Sequence, residues 1–359
     1  MSEKRGEVRP TSESGLHLGP RLYPLLFRPV LKDYIWGGRN LERRLGRPLP
    51  PGRVAESWEI AAHEDGASMV TNGRYTGLTL TAVHEALGLD LIGRRNAWAQ
   101  ERGKFPLLIK LLDAADRLSV QVHPDDAYAL AHEGNELGKT EMWVALHAEP
   151  DAAIILGVRA GATPEGFRAA IAEGTLEKLL HVLPLRTGDH VCVPSGSVHA
   201  ILGGLLIAEI QQNSNTTYRV YDWNRTQDGR PRALHVDKAL DVIDFDQVEP
   251  TLCPAELVAD TGAVRRWRLC RNRYFTTERV ELAPGASLDG RCNGESLEIW
   301  GVISGAAEVS GGAASVDLAA VQFALLPAAL GAFTVAAPAG AVCLRTYVEE
   351  WNADYADLS

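Results

Sequence analysis

Short runs of alternating or wholly apolar residues, separated by Gly and Pro, recur along the chain from Tyr23 onward. A period of two is typical of β-strands, and many short strands between turn residues are typical of sandwiches and barrels. The runs before residue 230 are Ser57–Ala61, Ala67–Val70, Leu107–Leu112, Leu118–His123, Met142–Leu146, Ala153–Leu156, Asp189–Val193, Leu205–Gln211 and Tyr218–Trp223. This pattern predicts a mainly β fold.

Helical signals are confined to a few short segments. The predicted helices are Leu80–Leu87, a segment from Pro124 to about Glu133, a segment that begins at Thr163-Pro164 and ends at Gly174, and a short piece over Glu177–His181. Threonine is a favourable N-cap, proline is tolerated in the first turn, and glycine commonly follows the last turn. We therefore expect a few short helices beside the sheets.

Composition shifts after about Pro250, and strand-like runs then resume. They are Arg266–Leu269, Phe275–Leu282, Glu298–Ile303, Ala306–Ser310, Phe323–Leu326 and Val342–Tyr347, with turns predicted at Gly305 and Gly311-Gly312. The last histidine of the chain is His235. Any chemistry that uses histidine is therefore expected before this C-terminal part.

Composition and charge argue against several classes of protein. No run approaches the roughly 18 apolar residues of a membrane helix, and the polar N-terminus predicts no secretory signal. The net charge of −10 argues against a nucleic-acid surface but leaves room for a pocket that binds one phosphate group. The five cysteines are scattered without a CxxC pair, which predicts free, buried thiols in a reducing compartment and a cytoplasmic location.

Two segments contain residues that could bind a metal ion. In the first, Gln121 and His123 are two positions apart, so on a strand their side chains point to the same face. Such a pair can begin a metal site, although a histidine at a strand end is also common without one.

The second segment, GDHVCVPSGSVH, runs from Gly188 to His199 with the spacing Gly-x5-Pro-x-Gly-x2-His. Pro194 cannot continue a ladder because it lacks an N–H, and Gly196 permits a tight turn before the next strand begins at His199. This spacing is the second signature of the cupin superfamily, and it predicts that His199 points into the mouth of a barrel. A Gly/Pro hairpin with an incidental histidine is the alternative.

The chain departs from the first cupin signature, which normally offers two His and a Glu in a short span. Gln121 stands in the first His position, and Glu141, directly before an apolar strand, is the nearest suitable carboxylate. The predicted ligands are Gln121, His123, Glu141 and His199. This set suits Zn²⁺, with Mn²⁺, Co²⁺ or Fe²⁺ as alternatives. An amide ligand is unusual for structural zinc, so the set favours a catalytic site.

Beyond the superfamily, the chain resembles type I mannose-6-phosphate isomerases (phosphomannose isomerases) in their shorter bacterial form, from about Tyr23 to Glu350. The resemblance rests on LKDYIWGG at 31–38, ESWEIAAH at 56–63, FPLLIKLLDAADRLSVQVHPDD at 105–126, GKTEMW at 138–143 and EIQQNSNTTYRVYDWNR at 209–225, together with the segment that ends at His199. It implies two cupin-type jelly rolls (double-stranded β-helices) with a few short helices. We expect a catalytic domain over 21–250 and a degenerate jelly roll without metal ligands over 251–359, preceded by a disordered arm over 1–20.

The resemblance also implies roles for individual residues. It places the family's metal ligands on the same four residues and its active-site arginine on Arg219. Its two lysines fall on Lys139 and Lys110, where charge stabilisation or substrate contact is implied. Longer relatives have a histidine where this chain has Gly138, so the ring-opening group of those relatives is missing here.

Several further residues allow both a functional and a structural interpretation. Ser57, Glu59 and His63 alternate along a segment that resembles a pocket-lining strand of the family and implies substrate binding, while an ordinary amphipathic strand is the alternative. Asp222 and Glu209 could act as acid/base groups or, more simply, pair with arginine. The remaining candidates are interpreted structurally: Trp36 and Trp143 as core aromatics and His235 as part of a short helix.

The predicted function is metal-dependent interconversion of mannose 6-phosphate and fructose 6-phosphate through an enediolate. A monomer or weak homo-oligomer with a sugar phosphate as its only partner is expected. The alternatives are a non-catalytic sugar-phosphate-binding cupin and another metal-dependent cupin enzyme, such as a dioxygenase or an epimerase. The latter would be expected to show the His-x-His pair that this sequence lacks.

Overall fold

The computed structural model describes residues 22–227, 229–312 and 314–350, so the arm predicted over 1–20 lies outside the described residues. The described strands pair in antiparallel ladders, and the prediction of a mainly β, cupin-type fold with a few short helices is confirmed. None of the described helices is long and apolar enough to cross a membrane.

The elements before residue 250 form all of two large sheets and all of the described helices. The strands are β1 (Leu25–Arg28), β2 (Val30–Lys32), β3 (Glu56–Ile60), β4 (Ala62–His63), β5 (Gly66–Ala67), β6 (Met69–Val70), β7 (Leu107–Ala114), β8 (Val120–Val122), β9 (Glu141–Ala148), β10 (Ala153–Val158), β11 (Leu180–Pro184), β12 (His190–Val193), β13 (His199–Ile201), β14 (Leu205–Gln212), β15 (Tyr218–Tyr221), β16 (Thr226–Gln227) and β17 (Arg230–Pro231). The α-helices are α1 (Asn40–Leu45), α2 (Leu80–Leu87), α3 (Leu89–Ile92), α4 (Ala97–Glu101), α5 (Asp126–His132), α6 (Pro164–Glu173) and α7 (Val236–Val242), and 3₁₀ turns cover Gly73–Tyr75, Arg94–Asn96 and Leu176–Leu179.

The described elements after residue 250 are all strands. They are β18 (Glu256–Asp260), β19 (Val264–Arg271), β20 (Thr276–Leu282), β21 (Ala286–Cys292), β22 (Glu298–Gly311), β23 (Ala314–Ala319), β24 (Phe323–Leu326), β25 (Gly331–Ala337) and β26 (Ala341–Tyr347).

Two sheets enclose the centre of the N-terminal part. One has six strands in the order β12-β9-β14-β7-β3-β2, and the other has five in the order β11-β10-β13-β8-β15. Apolar side chains from both sheets, among them Leu112, Ile154 and Ile207, pack into one buried cluster. Burial of these side chains stabilises the sandwich, and the polar residues that remain between the sheets line a cavity.

A third sheet contains the strands that follow residue 250, and two early strands join it. β1 pairs with β24 through Leu25 and Leu325, and it also pairs with β6. The division into domains at residue 250 stays a prediction. A boundary there would leave β1 and β6 in a sheet that the second part of the chain forms.

Local signals predicted α6 correctly. The Thr163 hydroxyl accepts the N–H of Gly166, Pro164 occupies the first turn, and Gly174 ends the helix with a left-handed φ of 69°. The helical piece predicted over Glu177–His181 is wrong in its second half, because Leu180–Pro184 pairs with β10 instead.

One turn and the cysteines differ from the prediction. β22 continues through Gly305 instead of turning there, because it pairs with β26 up to Gly305 and with β23 from Ala306 onward. Cys192 and Cys270 form a disulfide with their Cα atoms 6.0 Å apart, so the expectation that every cysteine is a free thiol is wrong for this pair. Cys253 is free but exposed, while Cys292 and Cys343 are free and buried. The 78-residue separation of the bonded pair gives no sequence signal, since only the packing of β12 against β19 brings the two together.

Candidate metal centre and active site

The predicted metal ligands converge between the two facing sheets. Gln121 lies in β8 and is directly opposite His199, the first residue of β13, while Glu141 begins β9 in the other sheet. One ligand atom each from His123, Glu141 and His199 can be chosen so that all lie within 4.8 Å of one another. All three side chains are buried. The structure therefore brings the sequence-predicted set together at one point.

Backbone carbonyls fix the two imidazoles in one tautomer. Nδ1 of His123 donates to the carbonyl of Thr216 at 2.8 Å, and Nδ1 of His199 donates to the carbonyl of Ser197 at 2.9 Å. With Nδ1–H donating, the Nε2 lone pair of each ring faces the centre, which is the usual arrangement of histidine ligands. Burial, reinforced by the charge of Lys139, lowers the pKa of His123 to about 3, and burial also lowers the pKa of His199. Both rings are therefore neutral and able to bind a cation.

The carboxylate of Glu141 faces the two imidazoles. Its Oε1 lies 3.3 Å from Nε2 of His123, and its Oε2 lies 3.9 Å from Nε2 of His199. Burial alone would raise the pKa of Glu141, but the charge of Lys139, 2.8 Å away, and the contact with His123 hold it well below its usual range. Apart from the ion pair with Lys139, neither oxygen accepts a hydrogen bond from any described residue. A buried, ionised carboxylate with free lone pairs is what a metal ion would satisfy.

Gln121 completes the set. Its Nε2 is 3.3 Å from Nε2 of His199. A half-turn of the amide would exchange Nε2 for Oε1 at nearly the same place, so the side chain can offer an oxygen to a cation. Two imidazoles, one carboxylate and one amide oxygen therefore fit a divalent metal ion.

A cavity of about 310 Å³ opens beside these ligands. Charged and polar groups from both sheets and from the loop after β14 line it: Glu56, Lys110, Ser119, Gln121, Lys139, His199, Glu209, Asn215, Thr217, Arg219 and Arg232. Tyr34, Trp36 and Trp143 supply aromatic walls. The cavity size suits a small polar molecule, and its lining is mostly polar or charged.

A buried ion cluster forms one wall of the cavity. Nζ of Lys110 lies 3.3 Å from Oε2 of Glu209 and 3.7 Å from Oε2 of Glu56, and all three residues are nearly inaccessible to solvent. Burial and the charge of Glu141 raise the pKa of Glu209 to about 7, against the lowering effect of Lys110. Burial tends to lower the pKa of Lys110, but its two carboxylate partners outweigh that effect and raise it. Lys110 is therefore a fixed cation beside a carboxyl that can exchange a proton near neutral pH.

A second cluster, of arginines, lies at the β15 end of the cavity. Arg219 is directly opposite Gln121 in the β8–β15 ladder, so it adjoins the metal ligands, and its Nη1 donates to the carbonyl of Ala233 at 3.0 Å. Its buried Nε has no hydrogen-bond partner among the described residues. Arg232 lines the same cavity, and its Nε and Nη2 bind both oxygens of the Asp222 carboxylate. Burial and the nearby charge of Arg232 lower the pKa of Arg219.

The structure does not bring two of the predicted substrate-binding residues into this cavity. Successive residues of β3 point to opposite faces, and Glu56 faces the cavity. Ser57 and Glu59 therefore line a separate cavity on the other side of the sheet, where Arg47 binds both oxygens of Glu59 at 2.6 and 3.0 Å.

His63 lies outside the lining of the cavity as well. Its Nε2 is 3.2 Å from a carboxylate oxygen of Glu136, and its Nδ1 accepts the N–H of Asp65. Asp65 in turn accepts from Asn215, which does line the cavity. His63 thus contacts the cavity only indirectly, through Asp65 and the lining residue Asn215.

Glu56 and Arg232 are the charged lining residues that the sequence analysis does not identify. Glu56 belongs to the same segment as Ser57. The signal that would have identified it is that its side chain projects from the same face of the sheet as Lys110 on the neighbouring strand. Arg232 had no signal, because it follows a short hairpin whose direction the sequence does not give. Glu209 was expected to pair with arginine and pairs with Lys110 instead, whereas Asp222 does pair with arginine.

The backbone excludes a histidine at the position where the longer relatives have one. A Cβ added to Gly138 would lie 2.5 Å from the backbone nitrogen of Asp126 and 2.6 Å from the carbonyl carbon of Asp125. The Gly138 N–H also donates to the Asp126 carboxylate at 2.8 Å. This close approach requires glycine at position 138, so the backbone itself accounts for the absence of a histidine there.

Comparisons with known proteins agree with this geometry. The sequence model described as "Phosphomannose isomerase type I, catalytic domain" matches residues 25–148. The chain is 37% identical to a probable mannose-6-phosphate isomerase of Bacillus subtilis (strain 168), over 87% of this chain and 96% of that protein. It is 39% identical to the mannose-6-phosphate isomerase ManA of the same organism, over 86% of this chain and 95% of that protein.

The chain belongs to the type I phosphomannose isomerase family. A crystal structure of the mannose 6-phosphate isomerase from Bacillus subtilis superimposes with a TM-score of 0.80 at 33% identity, covering 91% of this chain and all of that one. A putative mannosephosphate isomerase from Archaeoglobus fulgidus, at 22% identity and a TM-score of 0.71 over 92% of this chain and all of that one, shares the fold. The resemblance stated from the sequence is thereby confirmed, and phosphomannose isomerases of this family are metal-dependent enzymes.

Proposed function

We propose that this chain interconverts mannose 6-phosphate and fructose 6-phosphate in the cavity between its two facing sheets. The observation that carries the proposal is the presence, in one cavity, of three features. They are a buried set of metal ligands, a carboxyl group able to exchange a proton near neutral pH, and a pair of arginines that can bind a phosphate. Metal-assisted isomerisation of an aldose phosphate uses all three, and a protein that only binds sugar phosphates would not need the second.

Zn²⁺ is the proposed metal, held by Gln121, His123, Glu141 and His199, because two imidazoles and a carboxylate in a tight buried cluster suit it best. A divalent ion held there would supply a Lewis acid for the negative charge that develops on the substrate during isomerisation. Lys139 lies 3.2 Å from Nε2 of His123 as well as 2.8 Å from Glu141, so its ammonium adds positive charge at the same place. We assign Lys139 to stabilisation of the developing oxyanion.

Glu209 is the proposed proton-transfer group. It is buried and directly opposite Lys110 and Trp143 across two ladders, which holds its carboxyl still. A general base works best when its pKa lies near the working pH, and burial brings Glu209 into that range. Lys110 fixes the position of Glu209 and keeps its charge balanced, so its role in catalysis is to place the base.

Arg219 and Arg232 are proposed to bind the 6-phosphate. Guanidinium groups bind phosphate through paired N–H donors, and the Nε of Arg219 is a buried donor for which no described residue provides an acceptor. Mutual repulsion between two cations in one cavity is relieved when a dianion lies between them. The substrate would then extend from the metal ligands to this arginine pair, which adjoins Gln121.

The test is a coupled assay for interconversion of the two sugar phosphates, run with metal-loaded enzyme and with enzyme treated with a chelator. We expect turnover that the chelator abolishes and that added Zn²⁺ restores. His199→Ala should lose both bound metal and turnover, whereas His147→Ala, on the outer end of β9, should keep both. Absence of turnover in fully metal-loaded enzyme would refute the isomerase proposal.

The role of Glu209 has its own test. Glu209→Gln keeps the shape of the side chain and removes the exchangeable proton, so kcat should fall at least about 100-fold with little change in KM or metal content. A kcat for Glu209→Gln within a few-fold of the wild-type value would show that another group performs the proton transfer.

Location and assembly remain proposals. A cytoplasmic location fits a sugar-phosphate enzyme, while a disulfide between Cys192 and Cys270 is uncommon in a reducing compartment. We propose a cytoplasmic enzyme, active as a monomer or weak homo-oligomer. Sedimentation at several concentrations would check the assembly.

A further inference from the structure

We propose that Asp222 is a positioning residue that sets the phosphate affinity of the cavity by holding Arg232 in place. Asp222 does not line the cavity, yet both of its carboxylate oxygens bind Arg232, which does line it. This inference rests on the proposed function, because it concerns the phosphate end of the same cavity.

The geometry of the pair is bidentate. Nε of Arg232 donates to Oδ2 of Asp222 at 2.7 Å, and Nη2 donates to Oδ1 at 2.5 Å. Two parallel bonds fix the plane of a guanidinium as well as its position. Among the described residues, Nη1 of Arg232 has no hydrogen-bond acceptor. The clamp therefore leaves one N–H group of Arg232 available to an anion in the cavity.

The carboxylate is itself held rigidly. Asp222 is 5% exposed, and Nη2 of Arg225 donates to its Oδ1 at 2.7 Å. Arg225 also donates to the backbone carbonyl of Arg117 and lies 3.5 Å from the carboxylate of Asp116, so it connects Asp222 to the loop before β8. Arg225 does not line the cavity. One carboxylate thus joins a structural arginine to a cavity arginine.

The charges explain why this position needs a carboxylate. Arg219 and Arg232 share one end of the cavity, and without a counter-charge the mobile Arg232 would turn toward solvent to relieve the repulsion. Asp222 balances part of this charge without entering the cavity. The remaining positive charge is left for the incoming dianion, and the entropy cost of ordering Arg232 is met before the substrate binds.

The test is a double-mutant cycle read by two measurements. The variants are Asp222→Asn, Arg232→Ala and the double variant, and the measurements are the steady-state constants for mannose 6-phosphate and the Kd of inorganic phosphate by calorimetry. Asp222→Asn should raise KM and the phosphate Kd about tenfold while kcat changes less than about threefold. Because Asp222 acts through Arg232, the double variant should be no weaker than Arg232→Ala alone, within about threefold.

Glu256→Gln is the matched control, since it also removes a carboxylate that pairs with an arginine, Arg268, but in the C-terminal sheet outside the cavity lining, and it should leave the phosphate Kd within about threefold of the wild type. If Asp222→Asn does not fold, Asp222→Glu serves instead, because it keeps the charge but displaces Arg232, and it should raise the Kd by an intermediate factor. Independent, multiplying effects of the Asp222 and Arg232 substitutions would overturn the proposal, as would an unchanged Kd in Asp222→Asn or a wild type that does not bind phosphate.

The two proposals fail in different ways. A wild type that binds inorganic phosphate with the expected dependence on Asp222 but does not isomerise the sugar would refute the isomerase function alone. An active isomerase whose KM is unchanged in Asp222→Asn would refute the positioning role alone.

Discussion

The indole Nε1–H of Trp143 donates a 3.0 Å hydrogen bond to Oε1 of Glu209, and the same ring packs edge-on against His199 at 5.4 Å between centroids. Trp143 is fully buried, as its interpretation as a core aromatic requires. It nevertheless touches both a proposed metal ligand and the proposed proton-transfer group. A single side chain thus sets the distance between the two halves of the proposed chemistry.

Trp143→Phe should reduce kcat while leaving KM and metal content nearly unchanged. The substitution keeps the aromatic ring and removes one hydrogen bond to a carboxylate, an interaction that contributes roughly 1.5–3 kcal/mol and corresponds to about a 10- to 100-fold effect. Steady-state kinetics and metal analysis of the purified variant check this prediction.

Trp300→Phe is the matched control. Its indole donates to Oε2 of Glu298 at 2.9 Å in the C-terminal sheet, outside the lining of the active-site cavity. It should lower stability by a similar amount and leave kcat unchanged. Equal losses of kcat in both variants would mean that Trp143 acts only through stability.

Three of the four proposed metal ligands could be predicted from the sequence because each stands in a local pattern. The two-residue spacing of Gln121 and His123 puts them on one face of a strand, and the turn signature identifies His199. Glu141, by contrast, depended on the family resemblance. The lining of the cavity was harder to predict. The alternation of side chains along β3 is clear, but the sequence does not say which alternate set faces the cavity. Ser57 and Glu59 are therefore predicted to line it, whereas the structure places Glu56 there. Pairings across many residues, such as Arg232 with Asp222, depend on loop directions that no local pattern encodes.

The disulfide predicts a definite count of thiols. Protein unfolded without reductant should show three reactive thiols, from Cys253, Cys292 and Cys343, and reduced protein should show all five cysteines. A thiol reagent with intact-mass detection measures both numbers. Five thiols in protein prepared without reductant would contradict the Cys192–Cys270 bond and support the free thiols expected from the sequence.

Gly138→Ala should destabilise the protein and disturb the metal centre. The added Cβ would meet the backbone of Asp125 and Asp126, which cannot yield as a side chain would. Overpacking of this kind costs about 1–3 kcal/mol. Because Lys139 is the next residue and lies 2.8 Å from Glu141, metal affinity should fall as well.

Chemical denaturation and metal titration of Gly138→Ala measure both effects. Gly166→Ala is the control, since an added Cβ in α6 would meet only the Thr163 hydroxyl at 3.3 Å. Its stability should change by less than about 1 kcal/mol, because alanine is favoured inside helices. Wild-type stability in Gly138→Ala would show that the Asp125–Asp126 backbone can shift to make room for a Cβ, contrary to this prediction.

Glu278 offers a test of pH-dependent stability that is separate from catalysis. It is 1% exposed, Arg266 donates to both of its oxygens at 2.9 and 2.7 Å, and the Tyr347 hydroxyl donates at 3.0 Å. Burial alone would raise the pKa of Glu278, but hydrogen bonds and charge from Arg266, with the charge of Arg345, lower it. A depressed pKa in the folded state means that the ionised carboxylate stabilises the fold above its unfolded pKa of about 4.3.

Glu278→Gln should therefore lose about 3 kcal/mol of unfolding free energy at pH 7, since it leaves Arg266 without its counter-charge. The difference from wild type should begin to shrink as the pH falls below about 4.3, where the carboxyl of the unfolded chain takes up a proton, and it should be lost as the pH falls through the lowered pKa of the folded state. Urea denaturation of both proteins from pH 7 to pH 3 measures this. Glu308→Gln, at an exposed position of β22, should differ from wild type by less than about 0.5 kcal/mol throughout. A difference for Glu278→Gln that stays constant with pH would show that packing, and not the charge, is what the substitution removes.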